Sequence, residues 1–148
     1  LGGTLQADGS MASNNARWGV FCQFGGVINS PNLTATNNTF DGVRIDWGGT
    51  IICTGSTINN NGSSGIQVNY GGSIRAQNSI VTNNVQNGIW ANNGGDIQAI
   101  GVTVTGNGGV ADIYATGSGF IGYRAGTAGT FSPALGTVGN GNALIQAV

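Results

Sequence analysis

The sequence contains no Lys, Glu or His, and its charged residues, four Arg and five Asp, make up 6% of the 148 residues. Soluble domains typically have about 25% charged residues. Without His and Glu, the chain lacks the side chains that most often act as general bases or bind metal ions. Without Lys, and with a net charge of −1, it also lacks the positive surface that nucleic-acid binding requires. We therefore expect no metal, no cofactor and no nucleic-acid partner.

Long apolar segments and strong helix formers are also scarce. No segment approaches the about 20 consecutive apolar residues that span a bilayer, so membrane insertion is not predicted. Gly, with 29 residues, and Asn, with 19, are poor helix formers, which disfavours a helix-rich fold. Hydrophobic residues still make up 39% of the chain, enough for the core of one domain. Because the chain begins with Leu1 and has no signal-peptide pattern, we interpret it as a fragment of a longer protein.

Pairs of glycines recur every 23 residues and divide the chain into units. The pairs are Gly2-Gly3, Gly25-Gly26, Gly48-Gly49, Gly71-Gly72 and Gly94-Gly95. We number each unit from 1 to 23, starting at the first glycine of its pair. Apolar or small residues alternate with polar ones around positions 4 and 6, 9 and 11, and 19 and 21, which is the pattern of half-buried strands. Each unit is therefore predicted to contain three short strands.

One unit alone cannot bury these strands, but units stacked about 4.8 Å apart share one core and pair strand to strand. The sequence thus predicts an all-β fold, a parallel β-helix of five to six coils of 23–24 residues over residues 1–122. The length of the units resembles that of right-handed rather than left-handed β-helices. Residues 123–148, where the repeat fades, are predicted to form an irregular C-terminal cap or oligomerisation tail of the same domain.

Asparagine occupies positions 13 and 14 of the first four units. Stacked amides can hydrogen-bond along the helix axis, and Asn tolerates left-handed backbone geometry, so these pairs are predicted to form a structural ladder; a binding role is the alternative. The eight residues are Asn14, Asn15, Asn37, Asn38, Asn60, Asn61, Asn83 and Asn84. Glycine at position 18, as in Gly42 and Gly65, is predicted to occupy a turn with positive φ.

Cys22 and Cys53 are predicted to be buried free thiols. They point inward on different strands two coils apart, about 9.6 Å, which exceeds the span of a disulfide. Free thiols fit synthesis in a reducing cytoplasm.

Glycoside hydrolysis usually needs two carboxyl groups about 5 to 9.5 Å apart. Asp41 and Asp46 share a unit but lie five residues apart, roughly 16 Å along an extended chain. No acidic residue occupies the matching position of a neighbouring unit, and Arg44 lies beside Asp46 on the same outward strand face. The sequence therefore predicts no acid pair within one chain, and the candidates for a catalytic role are limited to Asp41, Arg44 and Asp46. An exposed structural contact and a site assembled from two copies of the chain are the alternatives.

Aromatic residues form two columns of matching positions. The first column, at position 23, contains Phe24, Trp47 and Tyr70. The second lies two to three residues earlier, facing out of the helix, and contains Phe21, Arg44, Gln67, Trp90 and Tyr114. Trp18 lies in a variable loop segment. Large exposed apolar surfaces mark binding sites, and Trp and Tyr are enriched in interfaces. These residues therefore predict a subunit interface or a carbohydrate-binding surface, with local turn packing as a third alternative.

The repeat over residues 2 to about 122 resembles the right-handed parallel β-helix of the pectin-lyase-like superfamily, particularly as bacteriophage tailspikes and tail fibres use it. The segments Tyr123-Arg124-Ala125-Gly126 and Gly139-Asn140-Gly141-Asn142 resemble the tails that follow such helices in phage-derived proteins. The resemblance implies a homotrimer that is made in the bacterial cytoplasm and incorporated into the virion. It also implies binding of cell-surface polysaccharide, often with cleavage by acidic residues on the helix face or between subunits.

The sequence therefore predicts a structural and receptor-binding module that trimerises and recognises bacterial polysaccharide. The absence of an acid pair, of His and of Glu favours binding over catalysis in this fragment. One alternative is a fragment of a polysaccharide depolymerase, either a hydrolase or a lyase, with a site between subunits. A second alternative is the β-helical passenger of an adhesin on the bacterial surface.

Overall fold

The computed structural model describes residues 2–124, 126–132 and 140–148. The chain winds into about six successive coils, and each coil adds one strand to each of three parallel sheets. A short 3-10 helix, Asn140–Asn142, precedes the last strand, and the described part of the chain contains no α-helix. The predicted all-β parallel β-helix is confirmed.

Three sheets form the sides of the helix. The first contains β1 (Thr4–Gln6), β4 (Val27–Asn29), β7 (Thr50–Ile52), β10 (Ser73–Arg75), β13 (Asp96–Ile100), β16 (Phe120–Arg124) and β19 (Leu144–Ala147). The second contains β2 (Met11–Ser13), β5 (Thr34–Thr36), β8 (Thr57–Asn59), β11 (Ile80–Thr82), β14 (Thr103–Thr105) and β17 (Thr127–Ala128). The third contains β3 (Val20–Gln23), β6 (Val43–Asp46), β9 (Ile66–Val68), β12 (Ile89–Ala91), β15 (Ile113–Ala115) and β18 (Phe131–Ser132).

The pairing register follows the repeat, because each residue lies beside the residue 23 places away in the first four coils. Ile51, for example, pairs with Ile28 on one side and Ile74 on the other. Side chains on alternate strand positions therefore stack into inward columns, and the inward residues from Ile51 to Ile145 on the first sheet are fully buried. Leu5 belongs to a strand that is paired on one side only and is 54% exposed.

Described residues after 123 still add strands to the three sheets, within the segment that the sequence predicts to form an irregular C-terminal cap or oligomerisation tail. Strand β19 begins 24 residues after β16 and pairs with it in parallel, so that Ile145 stacks on Ile121. Both side chains are fully buried, because the inward column of the first sheet is repeated once more at Ile145. Residues 125 and 133–139 of the predicted cap lie outside the described residues.

A ladder of asparagines at position 14 runs through the turns between the second and third sheets, and its three central members are buried. Its members are Asn15, Asn38, Asn61, Asn84 and Asn107. The backbone N–H and the Nδ2–H of Asn38 both donate to Oδ1 of Asn61, at 3.1 and 2.9 Å. Nδ2 of Asn38 also donates to the carbonyl of Ala12. The ladder ends at Asp112, whose Oδ1 accepts both N–H groups of Asn107.

The asparagines at position 13 have a different role from those at position 14. Asn14, Asn37, Asn60 and Asn83 have φ between 55° and 58°. This left-handed conformation is one that Asn adopts more readily than most residues do. Position 13 therefore turns the chain, and position 14 forms the ladder.

Glycine at position 18 is required by packing, and the prediction of a positive φ there is wrong. At position 1, Gly25, Gly48, Gly71 and Gly94 have positive φ, whereas the glycines at position 18 do not. A Cβ at Gly65 would lie 2.7 Å from Nδ2 of Asn84 and 2.8 Å from the carbonyl oxygen of Gly88. The glycine therefore gives the asparagine ladder the space it needs.

Substitution of Asn61 by Ala tests the ladder. The change leaves the buried Asn38 N–H and Ala35 carbonyl without their side-chain partner, at about 1–3 kcal/mol for each such group. We expect the free energy of unfolding in guanidinium to fall by about 3 kcal/mol. The matched control, Asn60→Gly, should change it by less than about 1 kcal/mol, because Gly adopts positive φ readily. Equal stability of the two variants would contradict a structural ladder.

Both cysteines are free and buried, and native reactivity tests that arrangement. Burial raises the pKa of the Cys53 thiol to about 12, so only about one molecule in 10,000 carries the reactive thiolate at pH 8. Burial also raises the pKa of Cys22, although a hydrogen bond with the Thr50 backbone opposes the rise. With Ellman's reagent at pH 8, we expect almost no reaction of native protein and two thiols in guanidinium. Rapid reaction of the native protein would contradict this burial.

Candidate functional site

The outward face of the third sheet, together with the residues that border it on both sides, carries eight of the eleven aromatic residues and the charged residues Asp41, Arg44 and Asp46. Positions 20 and 22 of each coil point away from the core on this face. Position 23 borders it on one side, and the loop at positions 15–17 borders it on the other. We call this area, with its two borders, the sheet-3 face.

Three stacked rings form the border at position 23, and we call Phe24, Trp47 and Tyr70 the aromatic stack. The ring centroids of Phe24 and Trp47 lie 5.4 Å apart, and those of Trp47 and Tyr70 lie 5.7 Å apart, with interplanar angles of 9° and 7°. The three residues are 57%, 51% and 51% exposed. The neighbouring rings cover one another's faces, so the ring edges supply much of the surface that the stack presents.

The aromatic stack is held in a strained backbone conformation. Its three residues have φ between 51° and 54°, a region that bulky side chains rarely occupy because of the contact between Cβ and the following carbonyl. The next coil places Asn93 at the same position with φ 47°, and Asn is suited to it. The turn itself therefore does not require aromatic residues.

A buried charge network lies in the second coil. The Nε–H of Arg44 donates to Oδ2 of Asp46 at 3.0 Å, and Nη1 donates to Oδ2 of Asp41 at 3.1 Å. Nη1 also donates to Oε1 of Gln67 at 2.9 Å, and Nδ2 of Asn69 donates to the other oxygen of Asp46 at 2.9 Å. We call these five residues the Arg44 network.

The structure brings Asp41 and Asp46 to one guanidinium group, although their spacing along an extended strand predicts roughly 16 Å between them. Asp41 precedes the strand and lies in the turn before Gly42, so the chain between the two residues is not extended. Both carboxylates are buried rather than exposed. The contact with Arg44 is therefore a buried ion pair and not an exposed one.

Arg44 stays protonated in this setting. Burial works to lower the pKa of its guanidinium, but hydrogen bonds to Asp46 and Asp41, with the negative charge of both, raise that pKa above its usual value. All four carboxylate oxygens accept hydrogen bonds, because the backbone N–H of Ser64 donates to the remaining oxygen of Asp41 at 2.9 Å. The acids thus fix the position of Arg44.

A groove of about 250 Å³ opens above the network. It is lined by Trp18, Phe40, Asp41, Arg44 and Ser63. Trp18 stacks on Phe21, with ring centroids 4.5 Å apart, and contacts Phe40 at a tilt of 46°. We call this feature the Trp18 groove. Sequence reasoning singled out Trp18, Asp41 and Arg44 but did not assign Phe40 or Ser63 to a site.

Trp90 and Tyr114 lie farther along the same face and do not line the groove. Their rings are 5.7 Å apart and tilted by 32°, and Trp90 Nε1 donates to the Thr116 hydroxyl at 3.1 Å. Gln67 separates this pair from Arg44 in the column. Both rings are half-buried within the chain, unlike the members of the aromatic stack.

The positions of the network partners Gln67 and Asn69 could have been predicted from the sequence. Each lies 23 residues after Arg44 or Asp46, so stacking of the units places it directly above that charged residue. The groove residue Phe40 had no comparable signal, because it lies in the loop where the units differ from one another. Loop conformation therefore limited what the repeat could predict.

The described residues offer no candidate metal cluster and no candidate membrane-spanning helix. No three His, Cys, Asp or Glu side chains in that part of the chain come together in an arrangement that could hold a metal ion. Among the same residues, no helix has the length and apolar character needed to cross a membrane.

Comparison with known proteins gives one family match. Residues 3–121 match the family described as right-handed β-helix region. Comparisons with curated proteins and with solved structures give no match. The matched span includes every residue of the aromatic stack, the Arg44 network and the Trp18 groove.

Replacement of Arg44 by Met tests the charge network. Two buried carboxylates would lose their cation, and breaking a buried ion pair from one side costs about 3–5 kcal/mol. We expect guanidinium unfolding to show a loss of this size. The control Arg17→Met removes an exposed cation and should cost less than about 1 kcal/mol. Similar losses of unfolding free energy in both variants would contradict the presence of a buried ion pair between Arg44 and the two carboxylates.

Proposed function

Because the chain belongs to the right-handed β-helix family, we propose that it is the receptor-binding module of a bacteriophage tailspike or tail fibre and binds bacterial surface polysaccharide as a homotrimer. The β-helix fold is compatible with a module that binds or degrades polysaccharide. In this proposal the protein is made in the bacterial cytoplasm, where its two free thiols stay reduced, and then becomes part of the virion.

The exposed aromatic stack is the observation that carries the proposal. Three large rings are more than half exposed, and each is held at a positive φ that costs about 1–2 kcal/mol. The fold does not require this cost, since Asn93 serves the same turn in the next coil. Strained and exposed residues of this kind are typical of positions that contact a partner.

We assign the aromatic stack to the contact between subunits. Neighbouring rings cover one another's faces, so the stack exposes its ring edges, one ring in each of three successive coils. A second copy of the chain has the same spacing and can pack edge to face or edge to edge along the column. Aromatic residues are also enriched in the cores of such interfaces.

We assign polysaccharide binding to the rest of the sheet-3 face. Sugars present apolar C–H faces beside hydroxyl groups, and they fit surfaces that combine aromatic rings with fixed hydrogen-bonding groups. Trp18, Phe40 and Arg44 supply such a combination in one groove. The chain has a net charge of only −1, so long-range attraction of a highly charged ligand plays little part in this proposal.

The geometry of the acids supports binding without cleavage by a single chain. A general acid must direct a proton at the glycosidic oxygen, and a nucleophile must present a free lone pair to the sugar. Asp41 and Asp46 instead use both of their oxygens to accept hydrogen bonds from Arg44, Ser64 and Asn69. In the depolymerase alternative, a second subunit would have to supply a carboxylate.

Replacement of Trp47 by Asn tests the role of the stack. We expect the wild-type chain to sediment as a trimer at micromolar concentration and the variant to sediment as a monomer. Relief of backbone strain offsets the lost ring contacts, worth about 0.5–1.5 kcal/mol per pair, so monomer stability should change by less than about 1 kcal/mol. Val85→Ala removes exposed apolar surface elsewhere and should stay trimeric. A wild-type monomer would contradict the trimer.

Incubation with purified capsular and O-antigen polysaccharides tests the ligand. We expect retention of the wild-type chain on at least one immobilised polysaccharide, with no change in the chain length of that polysaccharide by size-exclusion chromatography. Failure to bind across a broad panel would contradict polysaccharide recognition. Shortening of the polymer would favour the depolymerase alternative.

A further inference from the structure

We infer that the Trp18 groove is a subsite for a single uncharged pyranose residue, with Phe40 as its stacking surface and Arg44 as its hydrogen-bond donor. The inference rests on the proposed function and narrows it to a class of sugar and a place on the sheet-3 face.

The repeat shows that the charges beneath the groove are not needed for folding. Asp41, Arg44 and Asp46 occupy positions 17, 20 and 22 of their coil. The next coil folds onto the same register with Ser64, Gln67 and Asn69 at those positions. Buried ion pairs seldom improve on neutral groups of similar shape. A charged set in this one coil is therefore better explained by a ligand than by stability.

Part of the Arg44 guanidinium makes no hydrogen bond within the described residues, and its Cζ lies 5.7 Å from the centroid of the Trp18 ring. Its Nε–H and its Nη1 hydrogens are taken by Asp46, Asp41 and Gln67. Among the described residues, no hydrogen bond engages its Nη2 group, and its side chain is 25% exposed where it lines the groove. Two N–H donors on a planar group fixed by two carboxylates match two neighbouring sugar hydroxyls.

The size and walls of the groove fit one ring. At about 250 Å³ it lies below the roughly 300–1,000 Å³ of pockets that enclose drug-sized ligands, so its volume suits one sugar residue of a longer chain. Phe40 is 42% exposed and meets Trp18 at a tilt rather than in a parallel stack. Its ring can therefore pack against the C–H face of a pyranose. Ser63, whose hydroxyl donates to Gln86 Oε1 at 3.4 Å, also lines the groove.

The charge balance selects an uncharged sugar. Two Asp and one Arg leave the Arg44 network with a net charge of −1, and the exposed Arg17, whose guanidinium lies over the Trp18 ring, brings the area to zero. The Arg44 cation is already neutralised by two carboxylates. Among the described residues, Arg17 is the cation near the groove that has no carboxylate partner, and it is exposed to solvent, so a uronate or sulfate group would gain little from it while approaching two buried negative charges.

Saturation-transfer NMR with methyl pyranosides of glucose, galactose, mannose and rhamnose tests the subsite, with methyl glucuronide as the charged comparison. We expect millimolar binding of at least one neutral glycoside and at least tenfold weaker binding of the glucuronide. The triple variant D41N/R44Q/D46N places neutral residues where neighbouring coils carry Asn87, Gln67 and Asn69. It should fold and lose at least tenfold in affinity.

Phe40→Ala is a second variant that should still fold, because Phe40 is 42% exposed and lies in the variable loop outside the core, and it should lose at least tenfold in affinity as well. Arg75→Gln, which removes an exposed cation on the first sheet, is the matched control and should bind like the wild type. The inference is overturned if no neutral glycoside binds, if the glucuronide binds better, or if the Phe40 variant binds unchanged.

Polysaccharide retention and sedimentation, measured on the same preparations, separate this inference from the proposed function. If the protein is a monomer that retains no polysaccharide but still binds a glycoside in the groove, the subsite would be supported and the proposed function refuted. If the wild type and the Phe40→Ala variant both form trimers and retain polysaccharide equally well, the proposed function would be supported and the subsite refuted.

Discussion

Hydrogen bonding of each coil to the next in one fixed register is the constraint on which the structure depends. Parallel strands lie about 4.8 Å apart, so every side chain in the regular coils stacks on the residues 23 places before and after it. Strands of three residues are too short to hold that register securely by themselves. The buried ladder fixes it in the turns, because Asn61 accepts from Asn38 and donates to Asn84.

A strict register makes departures from the repeat informative. The fold accepts Asn93 where the aromatic stack has large rings, and it accepts Gln67 and Asn69 where the previous coil has Arg44 and Asp46. Local stability therefore explains neither the strained rings nor the buried charges. Both departures border the same sheet, which is why the sheet-3 face, rather than either of the other two sheets, is the functional surface in our proposals.

The two borders of the sheet-3 face suit different contacts. The aromatic stack is a linear column with its ring faces already covered, and it is matched to another regular column. The Trp18 groove is a single concave site with one exposed ring and one oriented cation, and it is matched to a small polar ligand. Separate surfaces let a trimer form along one border without covering the groove at the other.

The 23-residue spacing determined the strands, their inward residues, the columns and the free thiols, because stacking follows directly from a constant period. It could not determine side-chain conformations within a coil. Only the tertiary structure placed Asp41 and Asp46 on one guanidinium, since the turn before Gly42 shortens a path that an extended chain would make long. It alone also distinguished the turn asparagines from the ladder, assigned Gly65 to packing instead of positive φ, and closed the groove with Phe40, because loop geometry and close contacts are not periodic.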